Sequence, residues 1–306
     1  MNAIARRLLK AVTPGPRWFV IAPPYVWMLI FFAIPFLILL QISFAKPLIA
    51  SPPYSDLFST AGGEINLTLN LNNYTALFHD SKYAGAYLSS LKIAGISTLL
   101  CLLVGYPIAY AVSRLSPAVR NVALMLVILP SWTSFLIRIY AWVGLLKDNG
   151  FINKALMSIG LIDEPLKILY TPIAVYIGIV YAYLPFMVLP LYANLIKHDQ
   201  RLLEAAYDLG AKPLKAFFQV TVPLSFAGIV AGCMLVFIPA VGEFVIPELL
   251  GGPSTKMIGK VLWEEYFTAN DWPRASAIAI VMLMLLVIPI TIFHRYQSRQ
   301  LEARLS

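Results

Sequence analysis

Charge is scarce in this 306-residue chain: Asp, Glu, Lys and Arg make up 12% of it, against 59% hydrophobic residues. A water-soluble domain carries about 25% charged residues, so this chain cannot cover itself with polar surface. Histidine and cysteine are nearly missing, with three and two copies. His79, His198 and His294 are scattered, and Cys101 and Cys233 fall inside apolar runs, so no Cys/His set has metal-ligand spacing and no disulfide framework is indicated. No GxxxxGK[ST] phosphate loop, HExxH pair or GxSxG elbow occurs. These absences disfavour a membrane enzyme and leave the chemistry of any energy supply outside this chain.

Long apolar runs are what the chain does have. Runs of about 20 residues, each able to cross roughly 30 Å of hydrocarbon, recur at 19–44, 87–113, 121–145, 171–196, 223–245 and 275–294. Their length and continuity predict about six transmembrane helices rather than barrel strands, which would alternate over about ten residues. The first run is too long for a signal-peptide core of 7–15 residues and is expected to be retained.

The formal charge of +8 follows membrane topology rather than a nucleic-acid surface. Arg6, Arg7, Lys10 and Arg17 precede the first span, and Arg114 and Arg120 follow the second. Lys197, Arg201, Lys212 and Lys215 follow the fourth, and Arg295, Arg299 and Arg304 the last. All lie on one side if the spans alternate, so both termini are expected in the cytoplasm. No basic stripe interleaved with aromatics suggests nucleic acid as a partner.

The expected organisation is a cytoplasmic segment 1–18, a transmembrane domain 19–294 and a cytoplasmic tail 295–306. Within the domain, an outer loop spans 45–86 and a cytoplasmic loop 197–222. Tyr74, Leu77, Phe78 and Tyr87 recur at near-helical spacing and predict an interfacial amphipathic helix before the second span. Pro107, Pro130, Pro185, Pro190, Pro239 and Pro289 sit within spans, where they free backbone groups that neighbours or a polar pathway must satisfy.

The longest polar stretch of the second half is EAAYDLGAKPLKAFFQVTVP, from Glu204 to Pro223. It reads as a small cytoplasmic helix-turn-helix. Asp199 is placed to cap it, Glu204 favours the helix dipole, and Ala205 and Ala206 are strong helix formers without bulk. Gly210 supplies a stop and Pro213 opens the next helix. The residues alone leave two readings open, a docking helix and a solvated connector. Glu204, Ala205, Ala206, Gly210, Val220, Val222 and Pro223 resemble the EAA loop of ABC-importer permeases, with Val at both the Ile and the Leu positions of its ending. That resemblance implies a type I importer permease in which Glu204, Ala205, Ala206 and Gly210 build the coupling helix that docks on a separate ATPase.

LPSWTSFLIRIYAWVGLLKDNGFINKAL, YIGIVYAYLPFMVLPLYANL, LVFIPAVGEFVIPELLGG and DWPRASAIAI are similar to the polyamine branch of that family, most of all to putrescine-importer permeases. The implied partners are a second permease subunit, an ATPase dimer carrying ATP and Mg, and a periplasmic polyamine-binding protein; no cofactor is implied for this chain. Spermidine or another amine-like solute is the alternative cargo, and a proton-coupled carrier is the alternative class. A polyamine needs acids or carbonyls for its ammonium groups and aromatic faces for cation–π contact. Glu243 and Glu248, with Trp132, Tyr140 and Tyr183, are therefore the candidate pathway residues, alongside Trp142 and Tyr181. Two other readings stay open: Glu243 paired with Arg138 and Glu248 solvated in the outer loop, with the aromatics as interface-belt residues.

Overall fold

The computed structural model describes residues 16–61, 64–253 and 255–305, with side chains from Trp18 to Thr291 apart from 58–67 and 254. Residues 1–15 of the expected segment 1–18, with Arg6, Arg7 and Lys10, lie outside the described residues, as do the side chains of the tail 295–306.

Among the described residues the apolar runs fold as helices. The first span, α1 (Trp18–Ser43), precedes a short antiparallel hairpin, β1 (Phe58–Ala61) and β2 (Glu64–Leu67), in which Phe58 pairs with Leu67. Then come α2 (Asn72–His79), α3 (Ser81–Arg114), α4 (Pro117–Ile128), α5 (Phe135–Leu146) and α6 (Phe151–Ser158). They are followed by α7 (Pro172–Leu195), α8 (Arg201–Asp208), α9 (Pro213–Leu224) and α10 (Phe226–Val241). The last three are α11 (Val245–Leu250), α12 (Ile258–Trp263) and α13 (Trp272–Leu305).

Among the described residues four of these are single helices long and apolar enough to cross a membrane, and there are up to six spans if each of two bent pairs is one. The third span, expected as one run, is broken by 89° at Thr133. Pro130 removes an amide there, and the hydroxyls of Ser131 and Thr133 donate to the carbonyls of Ile128 and Pro130 at 2.5 and 2.9 Å. Two of the carbonyls at the break are thus satisfied locally, as an apolar environment requires. The fifth span bends by 67° at Ser225, whose hydroxyl donates to the Val222 carbonyl at 3.0 Å and pairs with the Tyr106 hydroxyl at 2.7 Å.

The second span begins earlier than hydropathy indicates, at Ser81, because Asp80 accepts the Lys82 amide at 2.9 Å and caps the helix. The expected amphipathic helix before it is α2. Its Leu77 is buried with Tyr83, Ile258 and Ile278, while Phe78 is exposed.

The bundle centres on α3, α7 and α10, which pack most extensively on one another. Small residues let them approach: Gly105 and Gly232 lie against Met187, Gly228 against Asn194, and Gly178 against Ile246 and Leu250 of α11. By contrast α1 touches the bundle through Ile34–Ser43, which packs on α13, and its large hydrophobic side chains before Ile34 are exposed. Both cysteines are free and join the cluster of Tyr106, Met187 and Leu191.

A side chain at position 178 would meet Leu250 and Ile246 at 2.7 and 2.8 Å. Gly178→Leu is therefore expected to destabilise the fold by about 1–3 kcal/mol, read as a lower melting temperature of the purified protein. An unchanged melt would place α11 elsewhere.

Candidate functional site

The fifth span stops at Gly242, inside the bundle, and the next turn starts at Val245. Such an end exposes amides that hydrocarbon cannot solvate. Glu243 takes them. Its Oε1 accepts the amides of Phe244, Val245 and Ile246 at 3.1, 3.0 and 3.4 Å. The Tyr183 hydroxyl donates to Oε2 at 2.5 Å. Tyr183 lies halfway along α7, so the carboxylate, 8% exposed, is held within the bundle rather than at its end. Gly259 packs against the Gly242 and Glu243 carbonyls, where no Cβ would fit, and so seats α12 on the same break.

Two of the sequence candidates, Glu243 and Tyr183, are thus in direct contact. The open pairing of Glu243 with Arg138 is not what forms. Arg138 lies over the Phe135 ring, 5.6 Å from its centroid, and its buried Nε has no hydrogen-bond partner. The local amides, fixed in sequence beside Glu243, outcompete a distant guanidinium. Glu248 is half exposed and ion-paired with Lys260 at 2.7 Å, rather than simply solvated. Trp142 and Tyr181 meet edge to face at 5.4 Å. Trp132 and Tyr140, 74% and 59% exposed, make no ring or hydrogen-bond contact with Glu243 among the described residues.

At the other end of the bundle α8 forms as its residues dictate. Asp199 accepts the Arg201 amide at 3.0 Å. The C-terminus closes in a Schellman motif, with Ala211 N–H to the Ala206 carbonyl at 3.0 Å and Gly210 N–H to that of Tyr207 at 2.9 Å. Gly210 adopts φ +81, a left-handed conformation that glycine takes without strain. Leu203 anchors the helix inward while Glu204 and Ala205 face out. Around them Leu202, Tyr207, Leu209, Leu214 and Phe218 are exposed, an apolar surround that the polar reading of this stretch missed.

His198 joins this loop to the spans. Its ring lies 3.1 Å from Asn194 Oδ1 and bonds the Leu224 carbonyl. Burial, seconded by the Arg114 charge, holds its pKa below the ordinary value against the opposing Leu224 bond.

Residues 101–303 match the family described as binding-protein-dependent transport system inner membrane component. The spermidine/putrescine transport system permease protein PotB of Haemophilus influenzae is 41% identical over 271 residues, 89% of this chain and 90% of that protein. Its Escherichia coli counterpart is 42% identical over 231 residues, 76% of this chain and 84% of that protein. Among solved structures, a bacterial ABC transporter that imports alginate superposes with TM-score 0.66 at 21% identity, covering 94% of this chain and 99% of that one. An inward-facing methionine ABC transporter gives TM-score 0.53 at 14% identity, covering 70% and 93%. These two likenesses concern the fold.

Two outcomes follow from the geometry. Glu243→Ala leaves three amides without an acceptor and is expected to cost about 1–3 kcal/mol; Glu243→Gln, which keeps a carbonyl there, should melt close to wild type. Because the folded state lowers the His198 pKa, the unfolded chain binds more protons below about pH 6.5. Melting temperature should therefore fall as pH drops from 7 to 5.5, and His198→Asn should flatten that slope.

Proposed function

The chain belongs to the binding-protein-dependent transport system inner membrane component family, a translocation subunit rather than an enzyme, and from that premise we propose that it is one permease half of an ATP-driven polyamine importer, with putrescine as cargo. The observation that carries the ATP-driven part is α8, a rigidly capped short helix that turns Glu204 and Ala205 outward. In this reading Glu204 makes the polar contact with an ATPase subunit, Ala205 and Ala206 permit close approach, and Gly210 sets the bend into α9. Leu209 and Leu214 surround the contact with apolar area. ATP and Mg act on that partner. The α8 end, rich in Arg114, Arg120, Lys197, Arg201, Lys212 and Lys215, faces the cytoplasm of a cell whose inner membrane holds the spans, with both termini on that side.

The relatives and Glu243 support an amine as cargo. Proteins 41% and 42% identical carry spermidine and putrescine in their names, and an acid at an interrupted helix within a bundle is where a transporter meets a cation. Glu243 and Tyr183 lie on the pathway in this reading. Trp132 and Tyr140, exposed on this chain, would line it together with a second permease half. A periplasmic binding protein delivers the amine.

Uptake of labelled putrescine is measured in cells lacking their own polyamine importers, with this chain coexpressed with its ATPase, second permease and binding protein. Uptake should need the ATPase and fall about tenfold or more with Glu204→Lys, the scale expected when a buried charged contact is reversed, while membrane insertion is unchanged. Uptake that persists without the ATPase, or stops on collapse of the proton gradient at constant ATP, would show a carrier instead. Preference for spermidine in competition would move the cargo within the class.

A further inference from the structure

Between the fifth and sixth spans α11 and α12 meet along one seam made of two neighbouring contacts. Lys260 Nζ lies 2.7 Å from Glu248 Oε2. The rings of Phe244 and Trp263 stack with centroids 6.2 Å apart and planes 11° from parallel. Phe244 and Glu248 are one helical turn apart, joined by a 3.0 Å bond from the Glu248 amide to the Phe244 carbonyl. Lys260 and Trp263 stand at i and i+3 of α12, on one face. Phe267 adds a third ring, tilted by 38° to that of Trp263 with centroids 5.2 Å apart.

Exposure along this seam runs opposite to that of an ordinary surface ion pair. The lysine side chain, the group most easily hydrated, is 16% exposed, whereas its carboxylate partner keeps 50%. The flanking rings are also open, Trp263 at 39% and Phe267 at 64%. An outward carboxylate beside open aromatic faces is the chemistry that receives an ammonium ion. Here the ammonium is supplied by the chain itself.

We propose that Glu248, Phe244 and Trp263 form a binding site for one ammonium group of the transported amine, and that Lys260 is its resident competitor, displaced from Glu248 when the amine arrives. This rests on the amine-importer reading above. The arriving group keeps its charge and its proton, so the exchange is of one ammonium for another. The methylenes beyond it find the Trp263 and Phe267 rings. A competitor built into the chain keeps the hold weak, as a site that must release its cargo requires. It also sets Lys260 and Glu248 apart from Glu243, whose Oε1 already accepts three backbone amides.

The test is equilibrium binding of labelled putrescine to the assembled transporter in nanodiscs, without binding protein, comparing wild type with Lys260→Met, Lys260→Arg and Glu248→Gln. Lys260→Met should tighten binding about three- to fivefold, the worth of one half-exposed ion pair. Lys260→Arg should stay near wild type, and Glu248→Gln added to Lys260→Met should abolish the gain. Lys260→Gln carries the same expectation if the methionine variant fails to assemble. Binding by the neutral variants that is no tighter than wild type, or is not saturable, overturns the proposal, because loss of a merely structural bridge would not improve affinity. Failure of the intact system to import any amine would instead overturn the functional reading on which it rests.

Discussion

A helix that ends inside an apolar bundle must find acceptors for its open amides, and Glu243 is the acceptor on which the half of this protein opposite α8 depends. One oxygen gathers the amides that begin α11, and the other receives the Tyr183 hydroxyl of α7. With the break fixed, α11 turns Ile246 and Leu250 into the space left by Gly178, and α12 lays Gly259 on the Gly242 carbonyl. Ile246, Leu250, Met257, Ile258 and Val261 are then fully buried. One carboxylate, by local geometry, turns an interrupted span into a folded-back segment that carries its own polar groups into the bundle.

The α8 end is tied to that segment by packed elements. α8 contacts α9, whose Phe217 ring meets Tyr106 and Tyr110 of α3 edge to face, each at 5.6 Å. At the bend between α9 and α10, Ser225 bonds Tyr106, and α10 then leads to Gly242 and Glu243. A displacement of α8 by a docked partner would reach α10 through the α9 ring contacts with α3 and the Ser225–Tyr106 bond. This is the physical content of the proposed coupling, and it joins the outward Glu204 to the inward Glu243 through one span.

Much of this was legible in the sequence where the signal is local. Apolar runs give the six spans, and Asp199, Gly210 and Pro213 give α8 its cap, its stop and its successor, because capping acts over a few residues. The break in the third span is hidden in the sequence, since Pro130, Ser131 and Thr133 stand within a long apolar run, and only the fold shows the Ser131 and Thr133 hydroxyls taking up the Ile128 and Pro130 carbonyls. Acid and aromatics were recognised as a class, but not which of them meet. Tyr183 and Glu243 lie sixty residues apart in sequence, and hydropathy carries no information about that pairing. Trp132 and Tyr140 share the composition of Tyr183 without its burial. The Lys260 and Trp263 face, although spaced i, i+3, carries no hydropathy signal, because α12 falls between the apolar runs 223–245 and 275–294.

In the proposed function this chain couples ATP hydrolysis on a partner to passage of an amine. The most direct measurement is ATP hydrolysis by the four-component transporter in nanodiscs, with binding protein present and putrescine absent or saturating. Hydrolysis that rises severalfold with putrescine, and does not rise with an amine-free solute of similar size, is the predicted result. Hydrolysis indifferent to putrescine and to spermidine in a correctly assembled complex would contradict it.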